Sequence, residues 1–333
     1  MERRSFLHTL LAGGAVAAGR PIVDPAMGRR LAASSTAAPR PSPQAPGRGP
    51  IIDVHMHAYP ADVAFPGGLV NPATGTATTL QNGAAHLQAC LAEMKRLNVV
   101  KGVVSGGDGD RLAVAAHWQD VDPGRFIAAA GVRGSADTPL PDVAILRTGF
   151  RTGRLRVLGE ITAQYAGLTL GDRSYDPYLA LAEEFDVPAA VHMGVGPPGI
   201  SYDPCCHGFR ASLGNPAVLE DALNRHPKLR VNVMHGGWPY LQETIALLFV
   251  YPQVDVDLGA IDWALPRPEF HAYLGALMRA GFGRRIMFGS DQMYWPEAIG
   301  MAIDAIEAAP FLTPADRRAI FHDNAARFLR LDG

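Results

Sequence analysis

From Ile51 onward, short apolar runs rich in β-branched residues alternate with stretches whose apolar residues recur at helical spacing. The runs predict strands over Ile51–His57, Val99–Ser105, Phe126–Val132, Leu155–Glu160, Val187–His192, Leu229–His235, Val254–Leu258 and Arg285–Gly289. Between them, Ala84–Leu97, Pro216–His226 and Pro239–Tyr251 read as helices. Asp176-Pro177, Asn215-Pro216 and Thr313-Pro314 each set a capping side chain ahead of a proline at the first helical position. Strand–helix alternation is the signature of a parallel sheet, and eight units in about 280 residues predict an α/β fold, a closed (β/α)8 TIM barrel, over residues 51–331.

Two connections are long for such a barrel, Ala58 to Ala84 after strand one and Gly194 to Leu213 after strand five. Both leave the carboxyl ends of strands, the face where these barrels carry their active sites, so a lid and a specificity wall are expected there. No glycine-rich dinucleotide fingerprint follows any strand.

The amino-terminal residues break the pattern. Arg3-Arg4-Ser5-Phe6-Leu7 and the Leu/Ala/Gly/Val run to Ala18 predict a twin-arginine export signal over residues 1–32. The run is too short to span a bilayer as a mature helix. Residues 33–50, rich in Ala, Pro, Ser, Gly and Arg, cannot bury a core and predict a disordered linker. The expected partner is the twin-arginine export machinery, and the expected location is periplasmic or secreted.

The chain has 333 residues, 48% of them hydrophobic, with 30 Lys and Arg against 32 Asp and Glu. That balance supplies neither a basic field for nucleic acid nor a polybasic patch for a membrane, which leaves a small-molecule substrate. A homodimer is the default assembly for such barrels. Three cysteines make no disulfide framework. Cys90 reads as a small core residue. Cys205 and Cys206, adjacent in the fifth loop, read either as a vicinal disulfide or as two free thiols.

Strand one ends in His55-Met56-His57, and strand alternation turns both imidazoles the same way. Glu160, His192, His235 and Asp291 then stand at the ends of other apolar runs. In a closed barrel all six would converge on one cup. Neutral imidazole and carboxylate donors without cysteine suit Zn²⁺, Mn²⁺ or Fe²⁺ in a catalytic setting rather than a structural thiolate zinc. A cation with an open position lowers the pKa of its water toward neutrality, and a carboxylate such as Asp291, with an oxygen to spare, can take the proton.

At these residues the chain resembles the amidohydrolase superfamily, and within it the amidohydrolase-related group. The resemblance spans residues 51–331 and rests on Asp53-Val54-His55-Met56-His57, Val191-His192, His226-Pro227-Lys228-Leu229-Arg230, Met234-His235-Gly236-Gly237, Phe288-Gly289-Ser290-Asp291 and Asn324-Ala325-Ala326-Arg327-Phe328. It implies one or two divalent metals, Zn²⁺ first and Mn²⁺ second. His55, His57, His192 and Asp291 are the implied ligands, and Asp291 and His235 the catalytic pair. His235 would polarise the substrate in a mononuclear centre and bind the second metal in a binuclear one. The carboxylated lysine bridge of many binuclear relatives is excluded, because only Lys95, Lys101 and Lys228 are present and none lies near strand four. Gly159-Glu160-Ile161 matches relatives that use a glutamate there instead, and Glu160 is either a bridging ligand or a partner of a ligand histidine.

Tyr59, Tyr165, His207 and Arg210 are the expected substrate contacts, with Gln164, Tyr202, Trp263, Arg267, Gln292, Tyr294 and Trp295 as further residues around the cup. The resulting expectation is a metal-dependent hydrolase of a small lactone, ester or amide. The alternative is a metal-dependent non-oxidative decarboxylase of an aromatic or unsaturated carboxylic acid. Asp255 and Asp257, two apart on strand seven, share a face and receive no role.

Overall fold

The computed structural model describes residues 49–106, 111–132 and 140–331. The expected signal, and the expected linker up to residue 48, lie outside the described residues. The strands are β1 (Ile51–Ala58), β2 (Val99–Gly106), β3 (Phe126–Val132), β4 (Val157–Ile161), β5 (Ala189–Val191), β6 (Val231–Val233), β7 (Val254–Asp257) and β8 (Ile286–Met287). They pair in parallel in sequential order from β1 to β8. The seam between β8 and β1 is closed by single main-chain bonds, from Val54 N–H to the Phe288 carbonyl (3.0 Å) and from Asp291 N–H to the His55 carbonyl (2.8 Å). The eight-stranded TIM barrel expected from the pattern is therefore the observed architecture.

Helices α1 (Gly83–Leu97), α2 (Arg111–Val121), α3 (Val143–Arg151), α4 (Asp176–Glu184), α5 (Glu220–Arg225), α6 (Leu241–Val250), α7 (Ile261–Ala264), α8 (Arg267–Arg279), α9 (Ala298–Glu307), α10 (Pro314–Arg318) and α11 (Asn324–Leu329) connect the strands and follow β8. Asn82 caps α1, and Thr313 and Asp316 form a reciprocal capping box on α10. Asn215 caps a 3₁₀ turn over Pro216–Leu219, so the helix expected from Pro216 opens as 3₁₀ and becomes α only at Glu220. Asp176 departs from its expected capping role: it lies inside the first turn of α4 and accepts from Arg225 and Arg173.

Two cores result. Ile52, Val54, Val103, Ile127, Ala129, Val157, Ala190, Met234 and Met287 fill the barrel interior, and Phe328 and Leu329 of α11 pack against them. The larger cluster, including Met56, Met94, Trp118, Phe126, Leu179, Leu248, Phe270 and Ile303, lies between sheet and helices. From within α11, Arg327 pairs with the buried Asp255.

The later strands are shorter than expected because their residues leave the ladder to turn around the site. His235, φ +57°, starts a sharp turn directly after β6, and Ala260, Asp291 and Met293 also take positive φ after β7 and β8. A left-handed conformation costs a non-glycine residue about 1–2 kcal/mol, and such residues concentrate at functional sites. On β1 the ladder is irregular between Asp53 and Met56. Val54 joins the interior cluster while Met56 joins the outer one, so consecutive residues Val54 and His55 both reach inward.

Both long connections are packed. The first carries short antiparallel bridges, Ala64 with Asn82 and Val70 with Ala77, and buries Leu69 and Asn71. The second runs through 3₁₀ turns at Ile200–Tyr202, Pro204–Cys206 and Ala211–Gly214, and its Cys205 and Cys206 form a vicinal disulfide.

Candidate active site

The six expected residues meet at the carboxyl ends of the strands. His57 Nε2 lies 2.9 Å from Asp291 Oδ1, and His55 Nε2 lies 3.6 Å from the same oxygen. Glu160 turns Oε2 toward this pair, 3.5 Å from His57 Nε2 and 3.9 Å from His55 Nε2. Its other oxygen, Oε1, is 2.9 Å from His192 Nδ1, and His192 Nδ1 is 3.0 Å from His235 Nε2. Glu160 thus stands between two pairs of imidazoles. Gly159 lets it sit there, since a Cβ at that position would lie 2.6 Å from the Ala190 carbonyl.

Main-chain stitching explains the convergence. Asp53 Oδ1 accepts from the N–H groups of His55 (3.1 Å) and Ser290 (2.9 Å), tying the end of β1 to the residue before Asp291. Gln292 completes the seam, accepting from His57 N–H and donating to its carbonyl. Gln292, one of the residues expected around the cup, clamps the His57 main chain.

Asp257, which the sequence left without a role, lies beneath the cup. Its Oδ1 is 3.4 Å from His55 Nδ1 and accepts from His235 N–H (3.2 Å) and Gly259 N–H (2.9 Å), while Oδ2 accepts from Asn232 (2.7 Å). His235 Nδ1 meets the Gly259 carbonyl at 2.9 Å. A carbonyl only accepts, so the proton of His235 resides on Nδ1 and Nε2 offers a lone pair.

The electrostatics call for a cation. Burial would lower the pKa of His55, but the surrounding carboxylates of Asp291, Asp257 and Glu160 push it up to about 10. Burial would likewise raise Glu160, yet the hydrogen bond from His192 and the charges of His57 and His55 hold its carboxyl well below the usual range. Asp291 is held low against its own burial by His55 and His57. His235 is pushed down to about 4 by burial and by its histidine neighbours, so it is neutral. Three buried carboxylates with one proton-hungry imidazole make a cage short of positive charge.

The unsatisfied atoms agree with that reading. His55 Nε2, His192 Nε2 and Asp291 Oδ1 are buried with no hydrogen-bond partner among the described residues. The donor atoms of His55, His57 and Asp291 lie within 4.8 Å of one another, as do those of His55, Glu160 and His235. The residues present therefore fit a divalent metal. His57, 18% exposed at its side chain, is the most open of the six and marks the solvent side.

Of the expected substrate contacts, Tyr165 packs its ring edge-on to His192 at 5.0 Å, backed by Phe209. Tyr59 is buried in an aromatic cluster, stacked on Tyr294 and edge-on to Phe65 and His86. His207 and Arg210 are exposed on the fifth loop, and Arg210 donates to the carbonyls of His207 and Phe209. Gln164 braces that loop through Gly194 and Arg210. Trp263 and Trp295 are buried and donate to the carbonyls of Ser290 and Leu69, and Arg267 donates to the carbonyl of Asp304.

A family model described as Amidohydrolase matches residues 52–331. The chain belongs to the amidohydrolase family. Its fold is similar to that of a probable 2-pyrone-4,6-dicarboxylic acid hydrolase from Acinetobacter baumannii, solved with citric acid bound, at 16% identity and a TM-score of 0.59. That match covers 84% of this chain and 99% of the other. A 2,6-dihydroxybenzoate decarboxylase from Rhizobium matches at 16% identity and a TM-score of 0.58, over 86% of this chain and 100% of that one. Protein fluG of Emericella nidulans is 27% identical over 88 residues, so this amidohydrolase matches 26% of its own length and only 10% of that relative's. Among the described residues no helix is long and apolar enough to cross a membrane.

Proposed function

We propose that this amidohydrolase is a metal-dependent hydrolase of a small lactone, ester or amide, built around two divalent cations. The reading is carried by Glu160, whose two oxygens face different imidazole pairs. His55, His57 and Asp291 would hold one ion, His192 and His235 the other, and Glu160 would bridge them. The imidazole and carboxylate donors favour Zn²⁺, with Mn²⁺ the alternative. When bound, such ions polarise a carbonyl and bring the pKa of water close to neutrality.

The protein's own groups supply the rest. Asp291 keeps Oδ2 on the His235 side, 3.8 Å from His235 Nδ1, where it accepts the proton lost as water adds to the carbonyl carbon and passes it to the leaving group. His235 has its only proton committed to Gly259, which favours a ligand role over the polarising role expected of a mononuclear centre. Substrate approaches past His57, with Tyr165 as an inner wall and His207 and Arg210 at the rim.

Elemental mass spectrometry on purified protein tests the reading. About two ions per chain are expected in the wild type, falling to about one in Glu160→Gln, with turnover sought among lactones, esters and amides. One ion in both proteins overturns it. A second reading has its own observation, the 2.9 Å contact between Glu160 and His192. If that contact persists as a hydrogen bond outside the ligand set, the centre is mononuclear. Decarboxylation of an aromatic or unsaturated carboxylic acid, read by CO₂ release, then comes first.

Export by the twin-arginine route to the periplasm or exterior is proposed on Arg3 and Arg4. Replacing both by lysine is expected to hold the protein in the cytoplasm with unchanged activity of the folded barrel. Cell fractionation reads this, and undiminished export overturns the proposal.

A further inference from the structure

Asp257 is 202 positions from His55 in sequence and fully buried. Its contacts divide between the two imidazole pairs. On one side Oδ1 faces His55 Nδ1 at 3.4 Å, which keeps the proton on that nitrogen and leaves the partnerless Nε2 free toward Asp291 and Glu160. On the other side the same oxygen accepts from His235 N–H, holding the positive-φ backbone from which that imidazole projects. It also accepts from Gly259 N–H, and the Gly259 carbonyl takes the Nδ1 proton of His235. Asn232 fixes the rotation of the carboxylate by donating to Oδ2.

The space is as constrained as the bonding. A Cβ on Gly259 would lie 2.7 Å from His55 Nδ1 and 3.2 Å from Asp257 Oδ1. Only a glycine lets the chain pass this close to the His55 ring and the Asp257 carboxylate.

We infer that Asp257 is a positioning residue that organises both halves of the centre at once, orienting His55 directly and His235 through Gly259 and the main chain. The inference rests on the two-cation reading above. It distinguishes Asp257 from an ordinary outer partner of a single ligand, which would affect one ion alone. Partners outside the ligand set commonly contribute ~10–100-fold in metal affinity.

The test is a Zn²⁺ titration of metal-free protein against a competing chelator, with the thermal unfolding midpoint of the metal-free chain measured alongside. Asp257→Asn keeps an oxygen for the three donors and removes the charge. Both dissociation constants are expected to rise together, by ~10–100-fold, with the metal-free midpoint little changed. Asn232→Ala, which frees the carboxylate without altering its charge, should move both constants in the same direction by a smaller factor, and it decides the matter if Asp257→Asn does not fold. A wild type that takes one ion or none overturns both readings. Two ions in the wild type with unchanged constants in the variants, or a change at one site alone, overturn this inference and leave the two-cation centre standing.

Discussion

Removing both histidines of β1, His55→Ala with His57→Ala, is expected to leave a chain that loses the ion beside Asp291 and shows no turnover above background. The imidazoles of His55 and His57 face Asp291 Oδ1, with their Nε2 atoms 3.6 and 2.9 Å from it. Without them, Asp291 and Glu160 would have to hold an ion with carboxylates alone on that side of the cup. The barrel itself is expected to survive, because the closing main-chain bonds of β1 use the amide of Val54 and the carbonyl of residue 55, not the imidazoles. Elemental analysis and far-ultraviolet circular dichroism on the same sample read both statements. Full metal content and activity in the double variant would show that the site has been misassigned.

Asp291→Asn is expected to separate metal binding from turnover. An amide oxygen can occupy the position of Oδ1 beside His57, but an amide nitrogen in place of Oδ2 cannot accept a proton. Loss of a positioned general base typically costs about 10²–10⁴-fold in rate, so kcat should fall by that order with KM little changed. Metal content is expected to stay at one ion or more per chain. Steady-state kinetics on any substrate found in the hydrolase screen measures the split. A kcat within a few-fold of the wild type would assign the proton transfer to another group and remove Asp291 from the mechanism.

The two substitutions differ because the residues sit on different supports. His55 and His57 lie on a strand that pairs with β2 along its length, whereas Asp291 follows the two-residue β8 and takes a positive φ. Its position depends on Asp53 and Gln292, which fasten its neighbours to β1. Asp53 belongs to the strand-one motif, and its bond to Ser290 gives that motif position a physical task.

Several residues expected around the cup pack against the protein itself for one common reason. Tyr59, Trp263, Gln292, Tyr294 and Trp295 follow the carboxyl ends of β1, β7 and β8, so proximity in sequence suggested proximity to substrate. The chain turns sharply at those strand ends, and their side chains swing back into the layer between sheet and helices or onto main-chain carbonyls. Tyr165 differs because it follows β4 in a 3₁₀ turn that brings its ring against His192.

The identity of the metal-capable residues was legible in the chain alone, because each stands at the end of an apolar run whose period marks it as a strand. Eight such runs separated by helical patterns were enough for the barrel, since parallel strands with short crossovers have few ways to close. Tertiary structure alone decided that Glu160 turns one oxygen to each imidazole pair, that His235 gives its proton to Gly259, and that Asp257 lies beneath both halves. Those facts depend on distances of a few ångströms between residues far apart in sequence, and they come into being only when β8 closes on β1. Local periodicity carries which face a side chain takes, but not which atom it meets there.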